Sequence, residues 1–242
     1  MKRLRVPLAS LREGTMYVQD APMQYITRVH RLGVGAQLEV FDPHARAQAE
    51  AEIVSVHADR LELHVGALCT GSATAERTVR VVQALPKGDK LDAIVRDATE
   101  LGASELWLCQ SERAVVKLDA ARFAHKRERL VRITEEAARQ AGRVDVPTLL
   151  APRTLQECVA ADVAEVRLLL APSATTKIAA PLRAYGREQS LSFYVGPEGG
   201  FSPAEIALAE AAGVTVVTLG PFVLRTETAV AAVLGALRLL DG

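Results

Sequence analysis

Two short segments near the end of this 242-residue sequence carry the residue types best suited to close contact with a ligand. The first follows the apolar run LSFYVG and reads Gly196, Pro197, Glu198, Gly199 and Gly200. Glycines let a backbone approach a ligand closely, proline stiffens a loop, and a carboxylate accepts hydrogen bonds. The capping box Ser202-Pro203-Ala204-Glu205 then predicts the start of a helix. The simpler interpretation of this segment is a tight strand-to-helix turn without a ligand.

The second segment, residues 219–229 (LGPFVLRTETA), also follows an apolar run and opens a stretch with helical spacing. If a helix begins here, Thr226 is placed to cap it and Glu227 favours its positive end. A helix start explains Thr226 and Glu227 but not Arg225, because a cation at the positive end of a helix needs an anionic or oxygen-rich partner. An unpaired charge among apolar neighbours is also costly. Arg225 is therefore a candidate for contact with a ligand.

Both segments lie in a region whose pattern predicts alternating strands and helices. Apolar runs such as VRLLLA and VTVVTLG alternate with segments of helical spacing, as at Leu91, Ile94 and Val95. This order is typical of a parallel sheet covered on both faces, and such sheets bind ligands at the carboxyl ends of their strands. We therefore expect an α/β domain over residues 77–242.

The first part of the chain has a different rhythm. Residues 37–65 alternate apolar and polar side chains in the runs AQLEVFD, EAEIVSVH and RLELHV, which predicts short antiparallel strands with one solvated face. The small, polar run TGSATAE at residues 70–76 suits a linker. We therefore expect residues 1–70 to form a separate, small antiparallel β-barrel.

Composition excludes several classes of protein. Basic and acidic residues number 29 each, so no global basic field holds a partner, and 49% hydrophobic residues are too many for a disordered chain. No apolar run reaches the roughly 18 residues that cross a bilayer, and the N-terminal segment has no secretory apolar region. Cys69, Cys109 and Cys158 lie far apart, without the spacing of a zinc site. We expect a reduced, cytoplasmic protein that binds no metal.

The usual nucleotide-binding, hydrolase and zinc-protease motifs are missing.

Basic residues concentrate in the middle of the chain. They are Arg122, Lys126, Arg127, Arg129, Arg132, Arg139 and Arg143. The planar guanidinium of arginine suits phosphates and base edges, so this segment is a candidate for RNA contacts. A bias toward Ala and Arg across the whole chain explains the same pattern equally well.

Taken together, GPEGGFSPAE and LGPFVLRTETA resemble the bacterial 16S ribosomal RNA uracil-N3 methyltransferases of the SPOUT superfamily. The resemblance extends upstream to a Thr-Glu-Leu-Gly run at residues 99–102, to SER at 111–113 and to AARQAGR at 137–143, so that it covers residues 79–240. The N-terminal part matches less closely. Departures from the family pattern fall at Gln24, Tyr25, His30 and Asp97.

This resemblance implies a fold and a set of ligands. The family combines a small N-terminal domain similar to PUA domains with an α/β domain that contains a trefoil knot, it forms homodimers, and it binds S-adenosylmethionine. Carried over by motif, the cofactor site comprises Leu170, Gly196, Pro197, Glu198, Gly199, Gly200, Leu219, Gly220, Leu224, Arg225, Thr226, Thr228 and Ala229. The implied RNA contacts are Lys87, Arg113, Arg139, Gln140 and Arg143. The implied partner is 16S ribosomal RNA or the assembled small ribosomal subunit.

The implied reaction is methyl transfer to N3 of a uridine, with Arg225 and Glu198 as the catalytic candidates. Negative charge develops on the uracil as N3 loses its proton, so a fixed cation near its oxygens helps. Glu198 either orients the base, takes the proton or binds the amino group of the cofactor. Two alternatives stay open: a methyltransferase of the same fold that acts on transfer RNA, and a non-catalytic protein that binds RNA or the ribosome.

Overall fold

The computed structural model describes residues 3–70, 77–116, 118, 120–186 and 188–241. The chain divides into two compact units, of which the first comprises Met1–Thr74 and Ala138–Val146 and the second Ala75–Ala137 and Pro147–Gly242. No pattern in the sequence indicated that residues 138–146 belong with the first unit. Of the expected linker, Thr70 lies in a strand, and residues 71–76 lie outside the described residues.

The first unit is built on one six-stranded sheet. Its strands are β1 (Arg5–Pro7), β2 (Gly14–Val18), β3 (Gln37–Asp42), β4 (Ala47–Val56), β5 (Leu61–Val65) and β6 (Cys69–Thr70), and helix α1 (Asp20–Gln24) leads into a π-helical turn at Tyr25–Val29. The sheet order is β1-β3-β4-β5-β2, with β6 paired to β4. The expectation of a wholly antiparallel sheet is wrong at one pair, because β1 runs parallel to β3. A strand of three residues is too short to display a period-two pattern in the sequence.

The alternating apolar side chains of the longer strands form the core of this unit. Leu38 and Val40 of β3, Ile53 of β4, and Leu61 and Leu63 of β5 are fully buried. They form one cluster with side chains from the other strands, whereas the residues between them lie at or near the surface. The predicted half-buried strands are therefore confirmed for residues 37–65.

The second unit is a parallel six-stranded sheet with helices on both faces. Its elements are β7 (Val79–Ala84), α2 (Lys90–Glu100), β8 (Glu105–Gln110), α3 (Ala120–Ala141), β9 (Thr148–Thr154), α4 (Leu155–Ala161), β10 (Val166–Leu170), α5 (Ala179–Ala184), β11 (Leu191–Val195), α6 (Pro203–Ala211), β12 (Thr215–Val217) and α7 (Thr226–Asp241). The strand order is β12-β10-β11-β7-β8-β9, and every pair in it is parallel. The expected α/β architecture is confirmed.

Neighbouring strand residues face opposite sides of this sheet. Val81 and Phe193 pack in one cluster with side chains of α2 and α7. Val82 and Tyr194, one residue further along each strand, pack in another cluster with side chains of α4 and α6. Strands with both faces covered read as continuous apolar runs, which explains why the sequence patterns were recognisable.

A buried ionic cluster ties strands together near their amino ends. The fully buried Asp162 accepts hydrogen bonds from Arg80, from Ser192 and, at 2.7 Å, from the hydroxyl of Tyr194. Arg80 also donates through Nε to Glu105 at 2.8 Å. Burial and the hydrogen bond to Asp162 raise the pKa of Tyr194, so the phenol stays protonated as a donor. The cluster lies at the end of the sheet opposite to the two glycine-containing loops.

The described residues contain neither a membrane-spanning helix nor a cluster of metal ligands. Within the residues described here, no helix is both long and apolar enough to cross a membrane. In the same residues, no group of three or more histidine, cysteine, aspartate or glutamate side chains is arranged to hold a metal ion. Cys69, Cys109 and Cys158 are free thiols.

Candidate active site

A cavity of about 290 Å³ opens in the second unit where β10, β11 and β12 end. Each of these strands runs directly into a loop that lines the cavity, and the first turn of α7 forms part of its wall. Its lining residues are Lys90, Leu170, Ala171, Pro172, Val195, Gly196, Pro197, Glu198, Gly200, Thr218, Leu219, Phe222, Val223, Leu224, Arg225, Thr226 and Ala229. The cavity thus lies at the carboxyl ends of parallel strands, where α/β proteins bind ligands.

Most of the residues that the sequence nominated for the cofactor lie together in this lining. They are Leu170, Gly196, Pro197, Glu198, Gly200, Leu219, Leu224, Arg225, Thr226 and Ala229. Gly199 and Gly220 belong to the same loops and Thr228 to the first turn of α7, but none of them is among the lining residues. The two segments, separate in the sequence, therefore form one site.

The glycines of the loop at residues 196–200, the glycine loop, have different structural roles. A Cβ atom on Gly196 would lie 3.0 Å from Cα of Gly200 and 3.1 Å from the backbone nitrogen of Phe201, so no side chain fits there. Gly200 has φ +66°, and its N–H closes the turn onto the carbonyl of Pro197 at 2.8 Å. Gly199 lies against Arg113 instead, whose Nη1 donates to the Gly199 carbonyl at 3.0 Å. Gly196 is therefore the glycine of this loop at which the protein's own backbone leaves no room for a side chain.

Thr226 ties the two loops together. Its buried hydroxyl donates to the carbonyl of Gly196 at 2.9 Å and accepts from Nε2 of Gln83 at 2.9 Å. The expected role of Thr226 as a helix cap is wrong, because its hydroxyl bonds to a different loop and the residue lies inside α7. Sequence reasoning missed Gln83, although an amide flanked by the apolar residues Val82 and Ala84 was a signal for a buried hydrogen bond.

Glu198 is held by two neighbours at the cavity rim. Lys90 Nζ donates to Glu198 Oε1 at 2.7 Å, and the backbone N–H of Lys87 donates to the same oxygen at 3.2 Å. Partial burial works to raise the pKa of Glu198, but the Lys90 ammonium and the backbone N–H groups outweigh burial and lower it. Sequence reasoning missed Lys90, which also lies 4.0 Å from Glu227. The carboxylate is therefore ionised and oriented.

Arg225 is exposed and lines the cavity. Within the part of the chain that the structure describes, its guanidinium makes no hydrogen bond and no ion pair. All five N–H donors are therefore available to a ligand. The adjacent Phe222 and Val223 are 80% and 78% exposed, so an apolar surface accompanies this cation.

The five residues nominated for RNA contact fall into two groups. In the second unit, exposed Lys87 and Arg113 both contact the glycine loop, at Glu198 and Gly199. In the first unit, Arg139 and Gln140 line a different cavity. Arg143 is 2% exposed and pairs with Asp145, Nε to Oδ1 at 2.8 Å. This burial leaves Arg143 no surface to offer to RNA and favours a structural role.

The structure also shows the surroundings of the four positions at which the sequence departs from the family pattern. Asp97 on α2 pairs with its neighbour Arg96 at 2.8 Å, and Gln24 is exposed at the end of α1. Tyr25 and His30 contact each other at the π-helical turn, with ring centres 4.6 Å apart.

Comparison with known proteins places this arrangement in a family. Residues 74–238 match the family model described as an RNA methyltransferase domain. The chain is 32% identical over 222 residues to the ribosomal RNA small subunit methyltransferase E of Bacillus subtilis, covering 89% of this chain and 86% of that protein. It is 37% identical over 220 residues to the protein of the same name from Mycobacterium bovis, covering 88% and 81%.

Solved structures agree with the sequence matches. A putative methyltransferase from Legionella pneumophila, in complex with the cofactor S-adenosylmethionine, superposes with a TM-score of 0.89 at 26% identity and covers 99% of this chain and 98% of that one. Ribosomal RNA small subunit methyltransferase E from Neisseria gonorrhoeae, bound to S-adenosylmethionine, gives 0.88 at 27% identity with the same coverage. The chain therefore belongs to the RNA methyltransferase family, together with the proteins named ribosomal RNA small subunit methyltransferase E.

Proposed function

We propose that this protein transfers the methyl group of S-adenosylmethionine to N3 of a uridine in the ribosomal RNA of the small subunit. The observation that carries the proposal is an available guanidinium, that of Arg225, at the wall of a cavity built where parallel strands end. The names of the relatives and the ligand of the structural neighbours support the same conclusion.

The lining of the cavity fits S-adenosylmethionine. Leu170, Leu219 and Leu224 supply apolar walls for the adenine, and the glycine loop supplies backbone groups with no side chain in the way. The Glu198 carboxylate is an acceptor for amino or hydroxyl groups at the rim. When bound, this cofactor supplies an electrophilic methyl group on a sulfonium.

The RNA must present an accessible uridine N3. Because N3 lies on the Watson–Crick edge, the base has to be unpaired or turned out of its stack. Loss of the N3 proton to solvent water places negative charge on the uracil oxygens, and Arg225 stabilises that charge with donors that the protein does not otherwise use. No nucleophilic side chain is required.

Glu198 acts as an orienting acceptor in this proposal. Its lowered pKa makes the carboxylate a weak base at neutral pH, while its fixed position beside Lys90 makes it a well-placed acceptor. It receives a hydrogen bond from the uracil N3–H or from the cofactor.

The proposed RNA surface uses Lys87 and Arg113 beside the glycine loop and Arg139 and Gln140 in the first unit. Arg143 is left out because it is buried and paired. We also propose a homodimer. Of the apolar residues that α7 offers for its interface, Ala229, Val233 and Leu237 are buried in the core of their own unit, whereas Ala232 and Leu240 are exposed.

Mass spectrometry of RNA tests the function directly. We expect a strain that lacks the gene to lose N3-methyluridine from its small-subunit RNA, and the purified protein to restore it with S-adenosylmethionine. Loss of a methyl group from transfer RNA alone would favour the alternative substrate. Failure of the purified protein to bind S-adenosylmethionine in calorimetry would favour a non-catalytic RNA-binding protein.

A further inference from the structure

A second cavity, of about 560 Å³, lies entirely within the first unit and has no part in the proposed chemistry. Its lining brings together three arginines, two rings and two amides from distant parts of the sequence. One amide, Gln37, donates to Glu52, and the other residues are Arg3, Arg5, Tyr25, His30, Arg139 and Gln140. Cations, aromatic rings and an amide are the groups that proteins combine to bind unpaired nucleotides.

Arg5 is the most informative member of this set. Its side chain is 8% exposed and donates through Nε to Glu39 at 2.7 Å, but its buried Nη1 has no hydrogen-bond partner among the described residues. A buried donor without an acceptor is destabilising, and a charged one more so. Because Arg5 lines the cavity, an oxygen of a bound ligand would remove this cost.

The rings beside Arg5 are already arranged for stacking. The guanidinium of Arg139 lies 4.5 Å over the ring of Tyr25, and the ring of His30 meets Tyr25 edge-on at 4.6 Å. A guanidinium packed on a ring presents a second flat face, and a base stacks well on such a face.

We infer that this cavity binds one nucleotide of single-stranded RNA, with a phosphate oxygen at Arg5 Nη1 and the base against Arg139, Tyr25 and His30. The inference builds on the proposed action on RNA and adds a defined anchoring site in the first unit. The acidic residues nearby do not oppose it, since Glu39 is paired with Arg5 and Glu50 with Arg3. A stacked duplex cannot offer a base to a cavity of this kind, so the site selects an unpaired segment.

Fluorescence anisotropy with labelled oligouridine RNA and the full chain tests this inference. We expect Tyr25→Ala and Arg139→Gln each to weaken binding by about 5- to 100-fold, the range typical of lost base stacking. Arg5→Lys keeps a cation for Glu39 but removes the Nη1 donor that faces the ligand. It should therefore weaken binding while the protein stays folded. In the same variants, the affinity for an RNA duplex of equal length should differ from the wild-type value by less than about twofold. We expect a duplex to bind through its phosphates at surfaces outside this cavity.

The chain provides a matched control pair outside the cavity. Arg60 lies 5.0 Å over the ring of Tyr17 in the same unit, and neither lines the cavity. Arg60→Gln and Tyr17→Ala should therefore leave oligouridine affinity unchanged apart from a small general charge effect. Equal losses for the control and cavity variants, or wild-type affinity in the cavity variants, would overturn the inference. So would a wild-type protein that does not bind oligouridine, or one that prefers an acidic peptide at this site.

Binding of S-adenosylmethionine, measured on the same variants, separates this inference from the proposed function. The cofactor cavity lies in the second unit, so its affinity should stay at the wild-type value. A protein that binds no S-adenosylmethionine, yet shows the expected pattern with oligouridine, would disprove the methyltransferase proposal alone. A protein that methylates ribosomal RNA, but binds oligouridine equally well in all variants, would disprove the nucleotide site alone.

Discussion

At the scale of single residues, Arg225 has a role that kinetics can isolate. Since its guanidinium makes no hydrogen bond or ion pair within the described structure, Arg225→Ala removes no polar contact that holds the loop. We expect single-turnover methylation to fall by about 100- to 1000-fold, or about 3–4 kcal/mol, as for other lost donors to a developing anion. S-Adenosylmethionine affinity and melting temperature should stay at wild-type values. Parallel loss of affinity, stability and rate would assign Arg225 a structural role, and unchanged turnover would remove it from the mechanism.

The Lys90–Glu198 ion pair leads to a second prediction, which concerns the pH dependence of cofactor affinity. The pKa of Glu198 lies below its ordinary value of 4.5, so the carboxylate is ionised above that pH and the pair is lost only as pH falls through the lowered pKa. In Lys90→Met the ammonium no longer opposes the effect of burial, so the pKa of Glu198 rises from its wild-type value. We expect the cofactor affinity of the wild-type protein to be flat from about pH 8 to 5, and that of Lys90→Met to decline earlier as pH falls.

Lys87→Met provides the control for that titration. Lys87 contacts Glu198 through its backbone N–H, which the substitution retains, whereas Lys90 contacts it through its ammonium. Calorimetric titrations of both variants should therefore differ. If the two variants show the same pH profile, the side chain of Lys90 does not control Glu198.

Predictability from the sequence was uneven at this scale. Arg225 and Glu198 stood out because each is a charge in a loop with glycine or apolar neighbours. Lys90 and Gln83 could not be paired with these loops in advance, because their partners lie more than a hundred residues away along the chain. Long-range pairing depends on strand order, which no local pattern specifies.

At the scale of elements, the glycine loop gives a paired test. A methyl group at Gly196 would meet the backbone of Gly200 and Phe201 at 3.0–3.1 Å, where neither atom can move without distorting the turn. We expect Gly196→Ala to weaken S-adenosylmethionine binding and to destabilise the protein by about 1–3 kcal/mol, as overpacking does. Calorimetric affinity and chemical denaturation measure the two effects.

Gly199→Ala is the matched variant in the same loop. The added carbon would lie 3.4 Å from the Cβ of Arg113, at the edge of ordinary contact, and away from the cavity lining. Cofactor affinity should change by less than about threefold, or roughly 0.6 kcal/mol. If Gly199→Ala weakens binding as much as Gly196→Ala, the close approach that we assign to Gly196 is wrong.

The elements themselves were predictable where burial is regular. Strands covered on both faces appear as apolar runs, and half-solvated strands alternate, so β10, β11 and β3–β5 were identified correctly. The parallel partner β1 and the π-helical turn at Tyr25–Val29 were missed, since three or five residues carry no measurable period. The π-helical turn is also where Tyr25 and His30 meet, so the second cavity was invisible in the sequence.

At the scale of the whole molecule, the change of rhythm in the sequence marked the two units, but not all of their members. The end of α3 and the residues after it belong to the first unit, where Arg139 lies over Tyr25. Sequence patterns are local and therefore cannot assign a distant segment to an earlier unit. Arginines that looked alike in the sequence accordingly have different surroundings, with Arg143 buried and Arg113 exposed.

The proposed homodimer is tested best at the exposed apolar loop of residues 222–224. Light scattering at micromolar concentration should give twice the chain mass of 26.0 kDa. If Val223, which is 78% exposed, is buried by a second copy, Val223→Asp disrupts the contact twice in a two-fold dimer. We expect the dissociation constant to rise by at least about 100-fold, because each copy loses about 1.5 kcal/mol or more of apolar burial. Val163 is equally apolar and 85% exposed, but it precedes β10 at the opposite end of the sheet, so Val163→Asp should leave the dimer intact. A monomeric wild-type protein would refute the dimer, whereas a dimeric Val223→Asp variant would show that this loop is not its interface. Because Val223 also lines the cofactor cavity, reduced methylation in a dimeric variant with wild-type S-adenosylmethionine affinity would show that the loop contacts the RNA instead.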